Sequence, residues 1–162
     1  MFKAFQFFLV LLLGVISCNS KKEEASKIQV HQVNEYPPLE LAFKNGEQLS
    51  TKTLQGKNVF ILFQPDCDHC QIEAVQVEQH LEEFKDYTLY FISSSPMDQI
   101  MAFAKNFKLD AKKNVRFAWT SSEGVLKYYG AIPTPSVYIY SNGVLKQSFN
   151  GQTEIESIVK AL

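Results

Sequence analysis

The chain lacks an excess of charge of either sign: 16 Lys and Arg stand against 17 Asp and Glu, for a net charge of −1 over 162 residues. Both signs are spread along its length. A nucleic-acid surface needs basic residues gathered on one face, so the balance points away from nucleic acid. Histidine is scarce, three in all, and His31 sits far from the others. A structural zinc site takes four ligands, and two cysteines with scattered histidines do not assemble one; we expect no metal. No internal repeat and no low-complexity tract is present. The one long apolar run, "AFQFFLVLLLGVI" at residues 4–16, falls short of the ~20 residues a membrane-crossing helix needs.

What is there begins with that run. It follows Lys3, as an apolar stretch follows the charged start of a secretory signal. Its end, "VISC" at Val15–Cys18, resembles the lipobox of bacterial lipoproteins, where the chain is cleaved before a cysteine that then carries lipid. The resemblance implies a signal peptide over 1–17, a lipidated Cys18 opening a polar tether over 18–36, and a domain over 37–162. It places the protein in a bacterial envelope on the periplasmic side, with surface exposure open and inner or outer membrane undecided. Acyl chains anchor at ~0.8 kcal/mol per buried CH₂. Three cysteines are an odd number for an exported chain. With Cys18 under lipid, Cys67 and Cys70 remain as a pair in a compartment where disulfides persist.

The domain reads as alternating elements. "LELAF" before Asn45-Gly46 is a strand running into a tight turn. "VFILF" and "YTLYFISSS" are continuous apolar runs, as expected of strands covered on both faces. Ala74, Val77, Leu81 and Phe84 recur at helical spacing, as do Ile100, Phe103, Ala104 and Phe107. "VRFAWTS" is a short strand, and "SEGVLKYYG" a helix ended by Gly130. "SVYIY", Asn142-Gly143 and "VLKQSF" form a hairpin, and Ile155, Ile158, Val159 and Leu162 mark a last helix. The predicted class is α/β: a central mixed sheet with helices on both faces.

"FQPDCDHCQIE" places the cysteine pair between a buried strand and an amphipathic helix. Cys67 falls at the helix start, where unpaired N–H groups favour an anion. A thiolate is the nucleophilic form of cysteine. Cys67 is therefore the expected attacker and Cys70, one turn in, the resolving thiol. His69, when charged, favours a thiolate at Cys67, whereas Asp66 and Asp68 oppose it, so sequence leaves the redox poise open. Glu73 lies one turn beyond Cys70. It either moves protons for that thiol or is a solvated helix residue, and spacing alone does not decide. Covalent c-type haem is disfavoured because Gln71, not histidine, follows Cys70. A purely structural disulfide would close a very small loop and remove little chain entropy.

A second motif joins the first. "YYGAIPTPSVYIYSNGV" resembles the thioredoxin-fold segment in which a cis-proline precedes a strand, a turn and the final strand. The register favours Pro135 over Pro133, which makes Thr134-Pro135 the expected cis pair. From Pro38 to Leu162 the chain is similar to membrane-tethered TlpA/ResA-type thiol-disulfide oxidoreductases of the thioredoxin-like superfamily, within the broader AhpC/TSA-like redoxins. The resemblance implies a redox-active Cys67–Cys70 disulfide and no other cofactor. It makes Glu73 the glutamate of a C-x-x-C-x-x-E pattern that handles protons, and Thr134 and Pro135 the backbone that docks substrate. It further implies protein disulfide or thiol substrates, a membrane or envelope electron donor, and a monomer.

The chain departs from that pattern in places. Asp66 stands where the family often has tryptophan, and Ile61 where thioredoxin carries a buried aspartate. The peroxiredoxin signature P-x-x-x-[ST]-x-x-C is missing, with Phe60 and Gln64 at its proline and hydroxyl positions. The expected function is an envelope thiol-disulfide oxidoreductase working as a reductase. The alternatives are a non-enzymatic thioredoxin-like binding module with a structural disulfide, and a peroxiredoxin-like peroxidase.

Overall fold

The computed structural model describes residues 34–162. The expected signal peptide, the lipidated Cys18 and the tether up to residue 33 lie outside the described residues. Seven strands form one sheet: β1 (Glu40–Ala42), β2 (Gln48–Ser50), β3 (Lys57–Leu62), β4 (Thr88–Ser93), β5 (Val115–Trp119), β6 (Ser136–Ser141) and β7 (Val144–Asn150). Four helices accompany them: α1 (Asp68–Gln79), α2 (Met97–Asn106), α3 (Ser122–Tyr129) and α4 (Ile155–Lys160). The strand order is β2-β1-β5-β4-β3-β6-β7. β3, β4 and β5 run parallel, while β6 and β1 join them antiparallel. The predicted mixed α/β sheet is what forms. β2 and the short 3₁₀ turn at Thr51–Thr53 that follows it were not foreseen.

Side chains alternate across a strand, and the apolar runs use both directions. Val59, Ile61, Phe91, Phe117 and Ile139 face one side, where α1, α2 and α4 cover them with Cys70, Ala74, Ile100, Phe103 and Ile158. Phe60, Leu62, Tyr90, Tyr138 and Tyr140 face the other, under Tyr129 of α3 and the N-terminal Tyr36 and Leu39. Burying both faces explains why the central strands read as unbroken apolar runs.

Two expectations are corrected. The helix predicted through Phe84 stops at Gln79, and Leu81–Phe84 is a separate 3₁₀ turn. His80 leaves helical geometry at φ −110°, ψ 22°, and its ring Nδ1 lies 2.9 Å from the Gln76 carbonyl. Residues three apart eclipse in a 3₁₀ turn, so Phe84 still reaches the core.

The tether was expected to extend to residue 36, yet Glu35 bridges Val144 and Tyr36 is buried. Asn142 and Gly143 both adopt positive φ, 48° and 83°, as a two-residue hairpin turn requires. Tyr36 donates its N–H to the Gly143 carbonyl at 3.0 Å and lays its ring against that glycine. The folded body therefore starts at the β6–β7 turn. That turn is at the end of the sheet where Ser141 meets Lys57, opposite the end where Ser136 meets Leu62. No helix among the described residues is long and apolar enough to cross a membrane.

Candidate active site

β3 delivers the chain to the site. After Leu62, Phe63 still donates to the Ile92 carbonyl at 3.0 Å, and the next three residues lift the chain off the sheet. Cys67 then donates its N–H to the Gln64 carbonyl at 3.2 Å. At φ −87°, ψ 115°, Cys67 is the N-cap of α1, and its Sγ accepts the Cys70 N–H at 3.3 Å. A helix start leaves N–H groups without intrahelical partners. Here a sulfur serves where an oxygen-bearing side chain is the common choice.

The same sulfur faces the second motif. The Cys67 thiol donates to the Thr134 carbonyl at 3.5 Å, and the Thr134-Pro135 bond is cis, at the proline the register favoured. Two bonds hold that loop: the Ser136 hydroxyl to the Pro133 carbonyl at 2.6 Å, and Gly151 N–H to the Pro135 carbonyl at 2.8 Å. The Thr134 N–H has no partner among the described residues.

The two sulfurs sit in unlike surroundings. Cys67 is half-buried; Cys70 is 2% exposed, and both are free thiols. Burial pushes the Cys70 thiol up to about 12, with the hydrogen bond to Cys67 adding to the rise. One turn further, Glu73 is also buried, at 1% exposure. Neither of its carboxyl oxygens has a hydrogen-bond partner, and burial alone pushes it up to about 8. The two readings of Glu73 thus resolve toward a buried acid. The reason is helical: Cys70, Glu73, Ala74 and Val77 share the inward stripe of α1.

The charged neighbours stand apart from that interior. Asp66, Asp68 and His69 are exposed, and the His69 ring Nδ1 contacts the amide oxygen of Gln152 in the β7–α4 connection. The contacts of three glutamines were not foreseen. Gln152 ties down His69. Gln64 binds Cys67 through its carbonyl, while its amide oxygen accepts from Ser95 at 2.6 Å and Ser93 at 3.4 Å. Gln76 lies three residues past Glu73, and its buried amide oxygen is unpartnered. Spacing along α1 could have located Gln76; nothing local marks the other two. A groove of about 210 Å³ opens between the strand ends and α3, lined by Gln64, Thr134, Ile92, Val125, Leu126 and Ile132 among others. Among the described residues no group of three or more His, Cys, Asp or Glu side chains could hold a metal ion.

Known proteins can be set beside this geometry. The profile of the AhpC/TSA family matches residues 33–148. The chloroplastic peroxiredoxin Q of Sedum lineare is 28% identical over 131 residues, which span 74% of this chain and 69% of that protein. A secreted Mycobacterium tuberculosis disulfide oxidoreductase homologous to E. coli DsbE superposes with a TM-score of 0.65 at 15% identity, covering 78% of this chain and 95% of that one. A peroxiredoxin-like protein from Aquifex aeolicus superposes with a TM-score of 0.63 at 14% identity, covering 79% of this chain and 84% of that one. The fold is thioredoxin-like.

Proposed function

The chain belongs to the AhpC/TSA family of thioredoxin-like thiol-disulfide oxidoreductases, and from that premise we propose that it reduces protein disulfides in a bacterial envelope, held there by lipid on Cys18. The observation that carries the chemistry is the pairing of a half-exposed Cys67 sulfur, 3.5 Å from the Thr134 carbonyl, with a buried Cys70 one turn behind it. Thiol-disulfide exchange runs through a mixed disulfide formed by an accessible sulfur, and a second sulfur beside it resolves that intermediate.

The Cys67 thiolate attacks a substrate disulfide; one S–S bond forms, one breaks, and the leaving sulfur takes a proton from water. Cys70 gives its proton to ionised Glu73 and attacks the Cys67 sulfur. The Cys67–Cys70 disulfide forms, and the second substrate thiolate leaves and is protonated. Two electrons have passed to the substrate, and an envelope dithiol must return them. The free Thr134 N–H and the adjoining groove hold the substrate backbone and an apolar side chain beside the reacting sulfur. The protein acts as a monomer.

The reducing direction is supported by the charges that flank Cys67. Strong oxidants of this kind owe their potential to a stabilised reduced form. Asp66 and Asp68, exposed beside the attacking Cys67, bring negative charge to the site rather than the positive charge that would stabilise a reduced form. We expect a reduction potential near that of thioredoxin, about −270 mV. A measured potential near −120 mV would reverse the direction. A second reading, peroxide reduction at Cys67, is favoured by the peroxiredoxin Q match. Against it, Gln64 occupies the position where a peroxiredoxin carries a hydroxyl. Hydrogen peroxide turnover by the reduced protein that matches its insulin reduction would establish the peroxidase instead.

A further inference from the structure

Among the described residues, three buried side-chain polar atoms lack a hydrogen-bond partner: Oε1 and Oε2 of Glu73, and Oε1 of Gln76. They are not scattered. Residues three apart are neighbours on a helix surface, so Cys70, Glu73 and Gln76 form one file along α1. Buried polar groups are nearly always bonded, and here every orphan lies in line behind the resolving thiol. Gln76 itself straddles the boundary. The residue is half-buried with its amide oxygen inside, while its nitrogen is neither buried nor bonded to a described residue and so reaches water. An amide carries an acceptor and two donors on one rotor, and its last torsion is broad and roughly two-fold.

We infer that Gln76 is a positioning residue for the Glu73 proton: its amide accepts from the protonated carboxyl with oxygen inward, donates to the carboxylate with nitrogen inward, and on turning opens Glu73 to water. This rests on the reading in which Glu73 takes the Cys70 proton. At this step the proton passes from the Glu73 carboxyl to water, and no other bond changes. No ionised group competes at the carboxyl. On α1, Asp68 and His69 are exposed and Glu78 is paired with Lys112 at 3.0 Å. From α4, Ile155 and Ile158 point into the same core, while Glu154, Glu156 and Lys160 are exposed. Burial alone accounts for the rise at Glu73.

The test follows the Glu73 carboxyl ¹³C resonance against pH in the reduced full chain, in native protein, Gln76→Leu and Gln76→Met. The rate at which a preformed Cys67 mixed disulfide resolves is measured alongside. Losing a donor to the charged form raises a carboxyl. We expect the Glu73 midpoint to move up by about one pH unit in both variants, and resolution at neutral pH to slow about tenfold. Neither replacement introduces a polar atom, and the methionine variant carries the test if the leucine variant does not fold. A native midpoint and native pH profile in both variants, with Glu73→Gln slow, overturns the role of Gln76 alone. A Glu73→Gln protein that resolves at the native rate overturns the proton role of Glu73 as well.

Discussion

The two faces of the sheet treat buried polar groups in opposite ways. Under α3 the core is rich in tyrosine, and the hydroxyls are paired: Tyr129 with Tyr140 at 3.2 Å, Tyr36 with Asn58 at 2.5 Å, and Tyr138 with Asn150 at 3.2 Å. Under α1, α2 and α4 the core is mostly phenylalanine and aliphatic, with Tyr87 its one buried tyrosine among the described residues and stacked pairs such as Phe91–Phe117 at 4.8 Å. Into that drier side are set Cys70, an unpartnered Glu73 and an unpartnered Gln76 oxygen. A satisfied hydroxyl contributes to stability. An unsatisfied carboxyl detracts from it, which makes the α1 face the costlier of the two.

The contrast can be broken most decisively at the sulfurs. Cys67→Ser should lower insulin-disulfide reduction by on the order of 1,000-fold or more, while Cys70→Ser should accumulate mixed disulfides on Cys67, visible on non-reducing gels. Retained turnover in Cys67→Ser would remove that face from the chemistry.

Next in size is a pH effect on stability. Folding raises Glu73 from 4.5 to about 8. Between those values the folded state keeps a proton that the unfolded chain has released, so stability falls as pH rises through that window. The full loss is roughly 5 kcal/mol. Glu73→Gln should match the native protein in urea unfolding near pH 4 and exceed it at pH 9. Parallel curves at both pH values would mean that Glu73 titrates like a surface residue.

The smallest effect belongs to the other face. Tyr129→Phe deletes one partner of the Tyr129–Tyr140 bond and should cost about 1 kcal/mol in urea unfolding, with no change in insulin reduction. A fall in turnover would show that the two faces are coupled.

Much of this was legible because it is written in spacing. Alternation and apolar runs located the central strands, Asn142-Gly143 the hairpin turn, and the register before "SVYIY" the cis bond at Pro135. Cys67 and Cys70 fell where a strand gives way to a helix. The rest depends on contacts between distant segments. Sequence could not tell a buried Glu73 from a solvated one, because α4, some eighty residues on, is packed over α1. Nor could it end α1 at His80, where a ring nitrogen meets the Gln76 carbonyl, or enlist Gln64, whose partners Ser93 and Ser95 come from the end of β4. The entry of the chain at Tyr36 was missed because it depends on a turn more than a hundred residues later.

That entry point has a directional consequence. The Glu35–Val144 bridge grips the chain at one pole of the sheet, and the thiols occupy the other. β3 alone, six residues at ~3.3 Å each, separates the poles by ~20 Å. Asn34 and Glu35 therefore join the molecule at its heel. The reactive tip is left clear of the segment by which the chain enters the fold.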